Sequence, residues 1–432
     1  MDRFRTDLAP EESSCDLPPV EAIQVIIERK VQVSILPENV RPRLKRIYPI
    51  YRLDGTTFRI GAQLGITIEL DDPEHHVWTL VHLLNGMRTV PEIVVAMLER
   101  FPMINERDVH EAIVALDQQG LLEDAWRAET SDGPGGESLE RWTGNINYFS
   151  HYARLAEGTL SPHARLRRSK VVLLGLGGGG STILPILAAT GVGCIVAVDY
   201  DRVERSNLNR QFLYRESDLG HYKTDAAERV MAEVNSDVDF SAVTARIDAA
   251  EDAVPIVRGA DLVICAIDEP PFLAQRRVNR ACVEEGVTCL YGFSQVTRGR
   301  VFSVVPRRSG CVDCLNIHYS QKDPLFVSQF AGFHSANFIA PTIAYAPDIV
   351  RLAGLIVAEA VRLLTNYAPP KSIATQFEFD FEADTAYSLL DWPRFETECP
   401  TCGSGCEERW PIFAAYPGRV SRADQVTDVG AA

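Results

Sequence analysis

The stretch Lys170-Val-Val-Leu-Leu-Gly-Leu-Gly-Gly-Gly-Gly180 most narrows what this chain can fold into. Its apolar half suits a strand buried on both faces, and its five glycines lead straight into helix-forming residues 181–190. Glycines let the backbone turn sharply and approach a ligand closely. A helix that starts there aims its free N–H groups at whatever lies above the strand end. The order strand, glycine turn, helix predicts a Rossmann-like α/β sheet with a nucleotide site at the carboxyl edge of its strands.

Other apolar runs extend the pattern. Residues 194–198, 262–266 and 288–291 read as further buried strands alternating with helical stretches, a mostly parallel sheet covered by helices. Runs at 300–305, 376–381 and 386–390 suggest antiparallel additions at one side. Ahead of this lies a different pattern. Residues 47–53 and 57–60 flank Asp54-Gly55, a hairpin signal. Three helices are expected to follow: the first over 72–84, the second from Thr89 with a capping box to Glu92, the third between Asn105 and Gly120. The expected organisation is a weakly patterned segment 1–38, a winged-helix-like α+β domain 39–128, a Gly/Ser-rich linker 129–139, the α/β domain 140–407 and a polar tail 408–432.

Composition excludes several classes. Lys and Arg number 43 against 59 Asp and Glu, a formal charge of −16 that argues against coating nucleic acid. Ten cysteines in 432 residues are too dilute for a disulfide-stapled scaffold. No apolar run follows a basic start, and the greasiest helical stretch, 340–364, carries Asp348, Arg351 and Glu359. A cytoplasmic protein with no membrane segment is expected.

Chemistry gathers downstream of the glycine loop. Asp199 ends the second strand 24 residues after Gly175, where a carboxylate can accept hydrogen bonds from ribose hydroxyls. To this point a nicotinamide dehydrogenase is as natural a reading as any. The segment 199–211 then adds Asp201, Asn207, Arg210 and Gln211, and Lys223 opens the next helix. A pyrophosphate needs little beyond backbone N–H groups, whereas a triphosphate wants cationic side chains. Asp268, just past the fourth strand, is suited to hold Mg²⁺ on the same edge.

Together these motifs resemble the ThiF/MoeB/HesA family, bacterial relatives of the ubiquitin-activating enzymes, over residues of about 165–405. The resemblance implies ATP-dependent adenylation of a carboxylate, giving acyl-AMP and pyrophosphate. Gly175, Gly177, Gly178, Gly180, Asp199, Asp201, Asn207 and Gln211 then belong to the ATP site, with Asp199 on the ribose. Arg210 and Lys223 steady the triphosphate, and Asp268 holds Mg²⁺. The family also implies a homodimer.

Cys311-Val-Asp-Cys314 and Cys399-Pro-Thr-Cys402 offer four thiolates, the donor set of a closed tetrahedral zinc site. A redox reading of either pair is disfavoured because there are two, and the family resemblance implies a structural zinc. No cysteine lies between Cys314 and Cys399, the interval where thioester-forming relatives carry one, so no enzyme thioester is expected. Gly144 stands where the family places an arginine that reaches the partner subunit's ATP; Arg141 and Arg154 are the alternatives nearby.

The N-terminal domain resembles the leader-peptide recognition domain of MccB-like members. Such a domain binds peptide by adding a strand to a sheet edge. Arg41, Arg43, Lys45, Arg46, Arg52 and Arg59 are placed to meet an acidic leader, or else are solvated hairpin charges. The leading expectation is an adenylating enzyme acting on a ribosomally made precursor peptide, with a downstream biosynthetic enzyme as a further partner. The alternatives are a leader-binding adaptor with a vestigial nucleotide site and a sulfur-carrier-protein activator.

Overall fold

The computed structural model describes residues 39–62, 67–125, 139–156, 158–267, 269–270, 272–323, 325–329 and 343–415. The segment 1–38, Asp268 and all of the tail after residue 415 lie outside the described residues. The chain forms two compact units. One spans Met1–Thr130 together with Ala153–Gly158, the other Ser131–Tyr152 together with Thr159–Ala432. The return of Ala153–Gly158 to the first unit departs from a simple cut near residue 130.

In the first unit β1 (Pro42–Leu44) pairs antiparallel with β5 (Leu122–Asp124). A separate antiparallel sheet has the order β2 (Ile50–Arg52), β3 (Thr57–Ile60), β4 (Ile68–Asp71). The Asp54-Gly55 turn forms because Asp54 Oδ1 accepts the backbone N–H groups of Thr56 and Thr57, at 2.8 and 2.7 Å. Helices α1 (His76–Leu83), α2 (Val90–Arg100) and α3 (Glu106–Gln118) follow. The Thr89–Glu92 capping box is present, and Asn105 and Asp108 form another. Helix α1 starts four residues later than the pattern suggests, with the Asp72 carboxylate accepting the Trp78 N–H from outside it at 2.7 Å. Phe58, Ile60, Leu80, Ile93, Ile113 and Leu122 fill the core.

Most of the basic run is committed inside this unit. Lys45 is buried, and its Nζ donates to the carbonyls of Gly120 (2.5 Å) and Ala153 (2.7 Å). Arg43 pairs with Glu123, Arg59 with Glu69 across β3 and β4, and Arg52 stacks 4.3 Å over the Trp78 ring. A free basic strip for an acidic leader is not what these residues make.

The second unit is built on eight strands in the order β13-β12-β11-β10-β9-β6-β7-β8. Strands β6 (Lys170–Leu174), β7 (Cys194–Asp199), β8 (Asp239–Thr244), β9 (Leu262–Cys265) and β10 (Cys289–Gln295) run parallel. Strands β11 (Arg298–Val304), β12 (Thr375–Asp380) and β13 (Thr385–Asp391) add antiparallel. Helices α4 (Thr143–Ser150) and α5 (Ser161–Arg168) precede β6. Then come α6 (Gly178–Thr190), α7 (Lys223–Val234), α8 (Ala250–Val257), α9 (Leu273–Glu285), α10 (Val312–Lys322) and α11 (Ala346–Thr365).

Two cores flank the sheet, one centred on Leu173, Ile183, Leu187 and Ile356, the other on Val172, Val263, Val278 and Phe302. The stretch read as the greasiest helix is α11, which buries Ile349, Leu352, Ile356, Ala360 and Val361. Among the described residues no helix is long and apolar enough to cross a membrane. The order in which strands are added reverses at β6, which has β7 on one side and β9 on the other. That makes the carboxyl ends of β6, β7 and β9 a topological switch point, where open α/β sheets bind ligands.

Candidate functional site

The glycine loop sits at this switch point, and two of its glycines are sterically required. Gly175 has φ +95°, and a Cβ there would lie 2.7 Å from the Ala266 carbonyl oxygen. A Cβ on Gly180 would lie 1.8 Å from the Gly175 carbonyl oxygen, so helix and strand end meet backbone to backbone. Gly177 caps α6, and nothing lies within 4 Å of where its Cβ or that of Gly179 would be. The start of α6 is therefore uncrowded at these two positions, and its first N–H groups lack partners within the helix.

Asp199 is 8% exposed and holds the loop. Its Oδ2 accepts the Leu176 N–H at 2.6 Å and its Oδ1 the Asp201 N–H at 2.8 Å. Each carboxylate oxygen keeps further acceptor capacity for a hydroxyl. Tyr214, which the sequence pattern did not single out, donates its hydroxyl to the Leu176 carbonyl at 2.8 Å behind the loop. Burial, with Asp199, Asp201 and Asp218 nearby, pushes this phenol far up, so it remains a donor. No spacing signal marks Tyr214, since its role depends on a contact 38 residues back along the chain.

Lys223 opens α7 at 4% exposure, its Nζ 2.8 Å from Asp201 Oδ2, while its backbone N–H donates to the Asp201 carbonyl at 2.9 Å. Asp201 is thus tied to Asp199 on one side and to the buried ammonium on the other. Arg210 Nη1 donates to Ser206 O and Asn209 Oδ1, both at 2.9 Å. Its Cδ and Nε lie 3.6 Å from a Cβ placed on Gly178, which sets the guanidinium beside the start of α6. Asn207 is buried and caps its own turn, accepting the Glu204 N–H at 3.1 Å. Gln211 is 2% exposed, and its Oε1 has no hydrogen-bond partner. Two cations, a buried acceptor left without a partner and a helix N-terminus are a donor and acceptor set that suits a nucleotide triphosphate.

The sequence-predicted residues Gly175, Gly177, Gly178, Gly180, Asp199, Asp201, Asn207, Arg210, Gln211 and Lys223 therefore gather on β6, β7 and the segments that follow them. Asp268, expected to hold Mg²⁺, lies outside the described residues. Gly144 is on the first turn of α4 with nothing within 4 Å of a built Cβ. Arg141 is ion-paired with Asp237 at 2.9 Å, in the turn before β8. That turn is at the amino edge of the sheet, opposite the glycine loop.

A second cluster lies on the other core. The sulfurs of Cys311, Cys314, Cys399 and Cys402 are all within 4.8 Å of one another. Contacts of 3.9, 3.5 and 3.4 Å link Cys311 to Cys314, Cys311 to Cys399, and Cys314 to Cys402. Four thiolates at ~2.3 Å from one tetrahedral ion stand about 3.8 Å apart, so the spacing fits zinc. Backbone N–H groups of Phe395, Thr401 and Cys402 point at the sulfurs of Cys314 and Cys399. These are the outer bonds that orient thiolate ligands.

The sheet order and the glycine loop at its switch point define a Rossmann-like α/β protein. Residues 150–401 match the model of the ThiF family, more than half the chain, and the protein belongs to that family. It is 30% identical over 246 residues to the sulfur carrier protein ThiS adenylyltransferase of Bacillus subtilis, covering 56% of this chain and 68% of that protein. It is 40% identical to a sulfur carrier protein adenylyltransferase of Thermus thermophilus, covering 57% and 86%. The fold is that of Escherichia coli MccB (TM-score 0.66, 22% identity, 84% of this chain and 97% of that one). MccB structures include one with ATP and one, described as the microcin C7 biosynthetic enzyme, with N-formylated MccA. The fold of PaaA is similar too (TM-score 0.61, 21% identity, 81% and 100%). The chain is an adenylyltransferase of the ThiF family.

Proposed function

We propose that this enzyme adenylates a carboxylate of a ribosomally made precursor peptide, using ATP and Mg²⁺. The observation that carries the reading is one of combination. A set of Asp199, Arg210, Gln211 and Lys223 at a switch point shares the chain with a unit whose three-stranded sheet leaves the outer edges of β2 and β4 unpaired among the described residues. The likeness in fold to MccB covers 84% of the chain and so extends beyond the second unit.

In this reading the leader adds a strand to an open edge of the first unit, so recognition runs through main-chain hydrogen bonds. The peptide carboxylate oxygen attacks the α-phosphorus of ATP. The bond to the α,β-bridging oxygen breaks, and pyrophosphate leaves with the electron pair. Asp199 holds the ribose, and the N–H groups of α6 with Arg210 and Lys223 take up charge as it develops on the phosphates. Asp268 would hold Mg²⁺, which supplies charge neutralisation there. The four cysteines hold zinc in a structural role, and with none between Cys314 and Cys399 no enzyme thioester forms there; an amide, amine or sulfur nucleophile captures the adenylate and AMP leaves. A homodimer, a downstream biosynthetic enzyme and a cytoplasmic setting complete the proposal.

The test is release of pyrophosphate from Mg·ATP with the peptide encoded beside the gene. Calorimetric titration separates this from a leader-binding adaptor, which would bind peptide and not Mg·ATP. The 40% identity to a sulfur carrier adenylyltransferase supports a second reading, activation of a small carrier protein. That reading predicts turnover with such a carrier after residues 1–125 are deleted. Turnover only with the peptide, and only with the first unit present, would refute it.

A further inference from the structure

The four-cysteine cluster is framed by a buried ionic network that adenylation does not itself use. Asp313, between Cys311 and Cys314, is 1% exposed, and Thr401 stands between Cys399 and Cys402. Thr401 Oγ1 donates to Asp313 Oδ2 at 2.7 Å, so one hydrogen bond fixes the register of two knuckles that are 88 residues apart. Arg276, itself 4% exposed, grips the same carboxylate with two nitrogens, Nε to Oδ1 at 2.7 Å and Nη2 to Oδ2 at 3.1 Å. Nη2 also donates to Glu407 Oε1 at 3.0 Å, just beyond the second knuckle, and the guanidinium lies 4.1 Å over the Phe413 ring. One planar fork thus holds both knuckles through three oxygens, a geometry lysine cannot reproduce.

Arg276 belongs to the first turn of α9, and Asn279, a turn further on, accepts the Val312 N–H at 3.1 Å. Helix α9 follows β9 in the chain, and its Val278 shares a core with Cys265 of β9 and with Ile267, which with the Ala266 carbonyl forms the wall against which Gly175 turns. The cluster and the wall of the glycine loop are therefore joined through one core, to which α9, Cys311, Cys314 and Cys399 all contribute.

We propose that Arg276 is a positioning residue that registers the two knuckles for zinc and, through α9, makes the loaded cluster part of the support of the nucleotide crevice. This rests on the crevice binding Mg·ATP. Without Arg276 the Asp313 carboxylate stays buried with no cation beside four thiolates, and the Thr401 hydrogen bond is left to hold the two knuckles together.

The test uses the full-length, zinc-loaded protein and two readouts. Zinc release to a chelating dye should be at least tenfold faster in Arg276→Met than in the wild type. Calorimetric titration should show the Kd for Mg·ATP raised at least fivefold in the same variant. Arg276→Lys keeps the charge and loses the fork, so it should move both readouts in the same direction by less; it also serves if Arg276→Met does not fold. Zinc release within twofold of the wild type in a folded variant would overturn the registering role. Faster release with unchanged Mg·ATP affinity would overturn the coupling. Failure of the nucleotide reading looks different: the wild type itself would not bind Mg·ATP, while zinc release would still respond to the substitution.

Discussion

Replacing Lys223 by methionine removes the buried cation of the crevice while keeping most of its volume. The ammonium is 4% exposed and 2.8 Å from Asp201 Oδ2. At that separation the gross Coulomb attraction is ~6 kcal/mol for an effective dielectric near 20. Desolvation of the ammonium offsets much of this, and the Asp201 side chain is 47% open to water. A net stability loss of about 1–3 kcal/mol is therefore expected, below the range for breaking a fully buried pair.

The catalytic cost should be larger. A fixed donor aimed at developing charge is worth ~2.7–4 kcal/mol, or 10²–10³ in rate. Pyrophosphate release by Lys223→Met should fall by that factor under saturating Mg·ATP and peptide. Asp201→Asn makes the complementary test, because it frees the same ammonium for phosphate. It should lose less than tenfold in rate, and Mg·ATP should raise its Tm by more than it raises that of the wild type. If Lys223→Met keeps over a tenth of the wild-type rate, or if Asp201→Asn is as damaging, Lys223 does not face the triphosphate.

Other expectations follow from the same geometry. Gly180→Ala places a methyl 1.8 Å from the Gly175 oxygen and should weaken Mg·ATP binding more than tenfold by calorimetry, whereas Gly179→Ala, with open space, should not. Burial, then the nearby Arg154, lowers the Lys45 ammonium from 10.5 to about 8. The folded chain thus sheds this proton where the unfolded chain keeps it. Stability of the first unit should rise as pH climbs from about 8 towards 10.5, and be lost as pH falls through 8; this slope should vanish in Lys45→Met when denaturant midpoints are compared across that range. Stripping the metal with a chelator should cost at least ~3 kcal/mol, or about 6–12 °C in Tm read by calorimetry. Binding of a precursor peptide should change less than threefold between 50 and 500 mM salt, since the basic residues near β1–β3 are largely paired within their own unit.

The glycine loop, Asp199 and both cysteine pairs were legible in the sequence because their chemistry is local: a turn, a strand end, a two-residue spacing. The α11 stretch was legible because its apolar stripe repeats along the chain. Strand β8 was not, since it is the sheet's edge and leaves Asp239, Ser241, Val243 and Thr244 exposed, so it reads as polar loop. Lys45 reads as surface charge; only a fold that brings Gly120 and Ala153 to it makes burial tolerable. The same holds for Arg276, whose partner Asp313 is 37 residues away. Long-range pairing of charges leaves no periodic trace.

The fate of the hairpin cations bears on how a peptide would be read. The sequence offers six basic residues between Arg41 and Arg59 and so suggests an electrostatic landing strip. In the folded unit Arg43, Lys45 and Arg59 have partners of their own, and Arg52 covers Trp78. Arg43 and Arg59 are neutralised in ion pairs, and what charge remains is screened beyond a Debye length of ~8–10 Å. Among the described residues what is left open is backbone: the outer edges of β2 and β4, with Glu69 and Asp71 on β4 exposed. Specificity for a leader then has to come from strand registry and from the side-chain pockets beside it. On that basis the acid excess of the chain and a peptide-binding role are compatible, because neither depends on a positive surface.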